Sequence, residues 1–296
     1  MTTTALLYIA VVLIWGSAWL AVKFQLGVVP PEVSVAYRIG IAALCMFAWA
    51  KLRRLPLGFP PSQHRFLALQ GMAIFSCNFI FFYLAAGHLT TGLIAVLFST
   101  ASAVTVIINA LLMRRWPQGT VAAGAALGVI GIAVVFRPEL AAFNFASGAG
   151  MGLLQTFAGT LCFCCGSVIT ARNHRAGLPL CGSTAWAMLY GFLFLALFAT
   201  LRGSPWRFEP TLPYTLSLAY LSLFGSVAAF AAYFALLARI EAERAAYATV
   251  LFPVVALSLS TAYEGYRWTW AASLGILLIF AGNILVLKKN RPRQRA

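Results

Sequence analysis

Long apolar runs separated by short polar breaks extend along almost the whole chain. Runs of about 20 residues, the length needed to cross a roughly 30 Å hydrocarbon layer, fall at 4–23, 32–50, 65–86, 91–113, 119–136, 149–171, 180–201, 212–237, 244–264 and 268–287. The pattern predicts ten helices. A bilayer offers the backbone no water to bond, and these runs exceed the roughly 10 residues of a barrel strand, so helices are the economical reading. The first run has no charged leader and no small-residue cleavage site, so it is expected to remain as a helix.

The pattern also repeats. Gly16-Ser17 with Ala21 returns as Gly166-Ser167 with Ala171, and Tyr83-Leu84-Ala85 as Tyr233-Phe234-Ala235, each at an offset of 150 residues. Gly124 with Gly131 returns as Gly275 with Gly282, at an offset of 151. Five segments per copy is an odd number, so the second copy must enter the membrane upside down. The expected fold is therefore an all-α membrane protein of ten transmembrane helices in two inverted five-helix repeats, at 1–137 and 148–288, with a basic tail at 289–296. Inverted repeats of this kind build alternating-access transporters around a midplane site.

Composition narrows the class. The 296 residues are 62% hydrophobic and 9% charged with a mean hydropathy of +0.89, far outside the range of water-soluble domains. A net charge of +15 would suggest nucleic acid in a soluble chain; here its distribution points elsewhere. With the N-terminus inside, fifteen of the 21 basic residues fall on the cytoplasmic side, five fall outside, and Arg38 lies within the second helix. That bias follows the positive-inside rule and puts both termini in the cytoplasm. The partners expected are the lipid bilayer and a small-molecule substrate, with no nucleic acid, as a monomer or homodimer. The expected location is a bacterial inner membrane.

Cys162, Cys164 and Cys165 have no neighbouring histidine or carboxylate to complete a metal site, and His64, His88 and His174 sit near helix ends. No metal, cofactor or catalytic group is expected. No HExxH, GxSxG or phosphate-binding glycine loop is present, so hydrolysis and nucleotide-driven pumping lack their residues.

Polar side chains at depth are the candidates for function. Arg38 lies about 10 Å into the second helix at roughly 1.5 Å per residue. Trp15, Trp19 and Lys23 follow at i, i+4 and i+8 and share one face of the first helix, beside Ser17. On the fourth helix Ser99, Ser102, Thr105 and Asn109 trace a polar line, as do Ser222, Ser226 and Tyr233 on the eighth and Tyr247, Ser258 and Thr261 on the ninth. Together with Asn78 and Tyr83 on the third, these lines predict a shared polar cavity. Gly124, Gly128 and Gly131, with Gly275 and Gly282, predict close helix packing instead. Pro253 is the only proline deep in a helix and a candidate gating bend; its counterpart Ala103 predicts no matching bend in the first half.

Of the six carboxylates none is central, and Glu264, at the outer end of the ninth helix, comes closest. A deep cation without a deep acid favours a substrate bearing a carboxylate, most simply a zwitterionic metabolite.

Trp15-Gly16-Ser17, Lys23, Pro30-Pro31 and Arg38 resemble the opening of bacterial EamA-type members of the drug/metabolite transporter superfamily. Tyr83 with Ala85, Tyr233 with Ala235, Pro253, Glu264 and the glycines of helices five and ten extend the likeness over nearly the whole chain. The resemblance implies inverted halves around a central cavity and export of small metabolites. In that family each half often carries a proline and a glutamate toward the end of its fourth helix. The second half here has Pro253 and Glu264, whereas the first has Ala103 and Arg114. Substrate-binding candidates are thus Trp15, Ser17, Trp19, Arg38, Asn78, Tyr83, Ser102, Thr105, Asn109, Ser226, Tyr233 and Tyr247. Gating or proton-coupling candidates are Lys23, Arg38, Pro253 and Glu264. Alternatives carried forward are an organic-phosphate or nucleotide-sugar carrier and, from another class, a membrane-embedded enzyme.

Overall fold

The computed structural model describes residues 3–112, 119–135, 137, 148–237 and 248–288. Tyr247, the side chains of Ser102 and Asn109, the linker 138–147 and the basic tail 289–296 lie outside the described residues.

All described elements are helical: α1 Thr3–Lys23, α2 Pro31–Leu52, α4 Thr91–Phe98, α5 Ala101–Leu112, α6 Gly119–Val135, α7 Gly148–Arg175, α8 Leu180–Leu201, α10 Ala248–Tyr263 and α11 Trp270–Lys288. Two helices are composite. In α3, Pro61–Met72 and Asn78–Ala86 flank a π turn at Ala73–Cys77; in α9, Leu212–Ala219 and Ala229–Leu237 flank a longer one at Tyr220–Ala228. Among the described residues, six helical stretches are long and apolar enough to cross a membrane, and four further apolar helices are shorter.

Local chemistry explains the ends. Proline opens α2, α3 and α9 in their first turn, where a missing N–H leaves no bond unmade. After α8 the chain turns at Gly203 (φ 67°), and the Ser204 N–H bonds back to the Ala199 carbonyl at 2.9 Å, closing the last turn.

The fourth apolar segment is not the single helix expected for 91–113. It breaks at Ser99-Thr100 between α4 and α5. Both hydroxyls bond back three residues, Ser99 to Val96 O at 2.6 Å and Thr100 to Leu97 O at 2.7 Å, competing with the helical ladder. The corresponding helix of the other half, α10, runs unbroken through Pro253.

Small residues set the helix contacts, since lipid supplies no hydrophobic force between apolar helices. Helices α6 and α11 meet backbone to backbone: a Cβ on Gly131 would lie 2.6 Å from Gly275 O, and one on Gly275 equally close to Gly131 O. The two predicted glycine stripes thus pack against each other. The principal core draws on α2, α3, α8 and α9, with Ile39, Phe75, Tyr83, Met188 and Leu221 fully enclosed.

Candidate functional site

Arg38 is carried into this core by α2 and is 4% exposed. Its guanidinium lies 4.2 Å from the centre of the Phe79 ring on α3, and its Nε donates to Ser226 Oγ on α9 at 3.3 Å. Tyr83, 1% exposed, sets its hydroxyl beside this charge. Among the described residues the arginine has no carboxylate partner. A buried cation held by hydroxyls and a ring rather than by a carboxylate can take an anionic oxygen.

Aromatic rings also link α1 to the other helices. Trp15 packs on Phe230 and Tyr233 of α9, with ring centres 5.8 and 5.3 Å apart. Trp19 packs on Phe82 at 5.0 Å, Phe98 at 5.7 Å and Phe252 at 6.4 Å, joining α1 to α3, α4 and α10. Both tryptophans and Tyr233 remain only half-buried. The structure thus gathers Tyr83 and Ser226 around Arg38, while Trp15 with Tyr233 and Trp19 with its three phenylalanines join α1 to its neighbours.

Other candidates are placed differently. Asn78 is 2% exposed and donates to Gly159 O at 3.1 Å, tying α3 to α7. Ser17 bonds Leu13 O and the Tyr220 hydroxyl, each at 2.6 Å, on the wall of an open groove of about 360 Å³ between α1 and α9. Thr105 lies beside Cys164. The polar line expected on the fourth helix is interrupted by the break, and its first member, Ser99, accepts a hydrogen bond from Asn283 of α11 at 2.9 Å. On α10, Ser258 and Thr261 both bond back to their own helix, and Ser258 is exposed.

Lys23 and Glu264 clamp one turn from opposite sides. The Lys23 ammonium donates to Ala86 O at 3.1 Å, at the carbonyl end of α3. Glu264 Oε2 accepts from the Thr91 N–H at 2.9 Å and its hydroxyl at 2.6 Å, at the amide end of α4. Each charge meets the helix terminus its sign prefers. Both line a cavity of about 560 Å³ with His88, Thr90 and Tyr263. Because Glu264 follows α10, this bond fastens the end of one half to the other. Beside it α4 and α10 nearly touch: a Cβ on Gly92 would lie 2.7 Å from Ser260 Cβ.

Sequence reasoning passed over Ser76, which has the same 150-residue offset from Ser226 as the repeats already noted. Both serines lie in the π turns and bond the carbonyl five residues back, Ser76 to Gly71 O at 3.2 Å and Ser226 to Leu221 O at 3.0 Å. Paired π turns are a recurrent feature of functional helices. Phe79, Phe98 and Phe252 were also missed, because an apolar ring in an apolar helix carries no signal of its own.

A family model described as the EamA-like transporter family matches residues 2–137 and 150–288. This chain belongs to the EamA-like transporter family. The transporter is 25% identical to protein PagO of Salmonella typhimurium over 97% of its own length and 94% of that protein. It is also 25% identical to a probable amino-acid metabolite efflux pump of Escherichia coli, covering 93% and 92% of the two chains. A crystal structure with 20% sequence identity superposes with a TM-score of 0.68 over 96% of each chain, a likeness of fold. The protein is a membrane transporter and not an enzyme.

Proposed function

We propose that this EamA-like transporter exports small zwitterionic metabolites, amino acids or close relatives, across the bacterial inner membrane. Ten crossings in two inverted halves would rock around the interior region, with both termini in the cytoplasm. Trp15, Trp19, Tyr83 and Tyr233 would hold the apolar part of the solute. Arg38 would take the carboxylate. The observation that carries this reading is the Arg38 guanidinium, buried between the halves with no described acid beside it.

Export of amino acids agrees with the name of the Escherichia coli relative. One deep cation suits a single carboxylate better than the multiply charged phosphates of a nucleotide sugar. The Glu264 to Thr91 bond would act as the outer latch, and proton uptake by Glu264 would loosen it, giving the coupling. Lys23 would hold the same turn, and Pro253 would let α10 bend.

Counterflow in proteoliposomes tests the reading. Labelled neutral amino acids are expected to exchange against unlabelled ones; flux confined to cationic solutes would overturn it. An imposed pH gradient should accelerate export by the wild type and not by Glu264→Gln, whereas equal acceleration would reject coupling through that residue.

A further inference from the structure

The ring of Phe66, in the first turns of α3, carries two arginines. The Arg172 guanidinium of α7 lies 3.5 Å from its centre and that of Arg65 lies 4.7 Å from it. Arg172 also donates to Gln63 Oε1 at 2.6 Å and Asn173 Oδ1 at 3.1 Å, amide oxygens that fix its position without neutralising it. Arg65 is exposed and has no hydrogen bond among the described residues. The described carboxylates Glu32, Glu209 and Glu264 belong to the opposite helix ends: α2 begins beside Glu32, Glu209 precedes α9, and Glu264 follows α10. Two like charges on one ring with no described acid to separate them form a receptor for an anion. Guanidinium forks match phosphate oxygens.

The surface beside this pair is apolar. Leu69, four residues beyond Arg65 and on the same face of α3, is 44% exposed. On α7, Cys165, Leu161 and Leu154 precede Arg172 by 7, 11 and 18 residues, which returns each to the same side of a 3.6-residue helix. Cys165 is exposed, Leu161 is 41% exposed and Leu154 is 61% exposed. A charged head above two exposed apolar tracks is the complement of a phospholipid, not of a soluble anion.

We infer that Arg65 and Arg172, bracketed on Phe66, bind the phosphate of an anionic glycerophospholipid whose acyl chains lie along the exposed apolar tracks of α3 and α7. The inference rests on the cytoplasmic orientation proposed for these helix ends, where anionic headgroups attract basic clusters. Occupancy would pin α3 of one half to α7 of the other, reinforcing the Asn173 to Gln70 hydrogen bond of 2.8 Å.

Native mass spectrometry of the full-length protein, titrated with phosphatidylglycerol, phosphatidylcholine or glycerol phosphate, tests this without recourse to transport. Phosphatidylglycerol is expected to be retained at least about tenfold more tightly than phosphatidylcholine, roughly 1.4 kcal/mol. The R65Q/R172Q double variant should lose that preference. The single variant R65Q, which breaks no hydrogen bond, should lose about half of it on the logarithmic scale and keep the wild-type melting temperature. Equal retention of the two lipids, an unchanged preference in R65Q and R65Q/R172Q, or glycerol phosphate binding as tightly as the intact lipid would each overturn the inference.

Discussion

The two π turns occupy equivalent places in the two halves, yet the crossings they make differ. In the first half the turn of α3 lies directly on α8: a Cβ on Gly71 would collide with Ala187 O, and one on Gly191 would lie 2.9 Å from Phe75 Cβ. The single hydroxyl hydrogen of Ser76 is shared between Gly71 O and, across the crossing, Gly191 O at 2.9 Å. In the second half the turn of α9 faces α2 across a side chain. The nearest atom to a Cβ on Gly225 would be an Arg38 terminal nitrogen at 3.6 Å, and Ser226 accepts from Arg38 instead of donating across the crossing. One crossing is closed by backbone; the other holds a cation between its helices. The two copies have kept the π turn and its serine but use them for different ends, one as a fastening and one as a binding position.

Substitutions at the glycines should separate the two crossings most strongly. Gly71→Ala is expected to cost about 2 kcal/mol or more through overpacking against rigid backbone, read as a clear fall in melting temperature. Gly225→Ala, where the added methyl meets ordinary contact distance, should change melting by no more than a degree or two. Equal losses at the two positions would abolish the comparison.

Arg38→Gln comes next. Transport of zwitterions should fall about tenfold or more while the folded protein survives, because removing a charge-assisted contact made only to substrate costs roughly 1.5–3 kcal/mol of binding. Undiminished counterflow would make Arg38 a packing residue. The serine pair gives the smallest and most discriminating effect. Ser76→Ala should cost about 1 kcal/mol of stability through its lost hydrogen bond, with transport per folded molecule unchanged. Ser226→Ala should instead raise the KM for substrate about threefold with little change in melting temperature. Matching phenotypes for the two would show that both crossings do the same work.

Much of this was legible in the residue pattern. Apolar run length and the duplicated Gly-Ser and Tyr-x-Ala motifs disclosed the helical segments and the two halves, because a bilayer forces each span to declare itself in composition. The glycine stripes of α6 and α11 were readable for the same reason, as close backbone approach tolerates no side chain. The region around Arg38 was only half legible. Arg38, Trp15, Trp19 and Tyr233 stood out as residues expensive or misplaced at depth, but Asn78 and Ser17, equally prominent on that criterion, proved to be engaged in helix-to-helix bonds. A polar atom in an apolar segment shows that a partner exists; it does not show which.

The segments, their duplication and the lone deep cation are properties of the sequence alone, since the energetics of burying polar groups in lipid act on each residue independently of its neighbours. The break at Ser99-Thr100, the pairing of Glu264 with the amide end of α4 and the different uses of Ser76 and Ser226 were decided by tertiary structure. Each depends on which carbonyl, amide or guanidinium a hydroxyl or carboxylate meets within about 3 Å, and residues as far apart in the chain as Thr91 and Glu264 are brought to that distance only by helix packing.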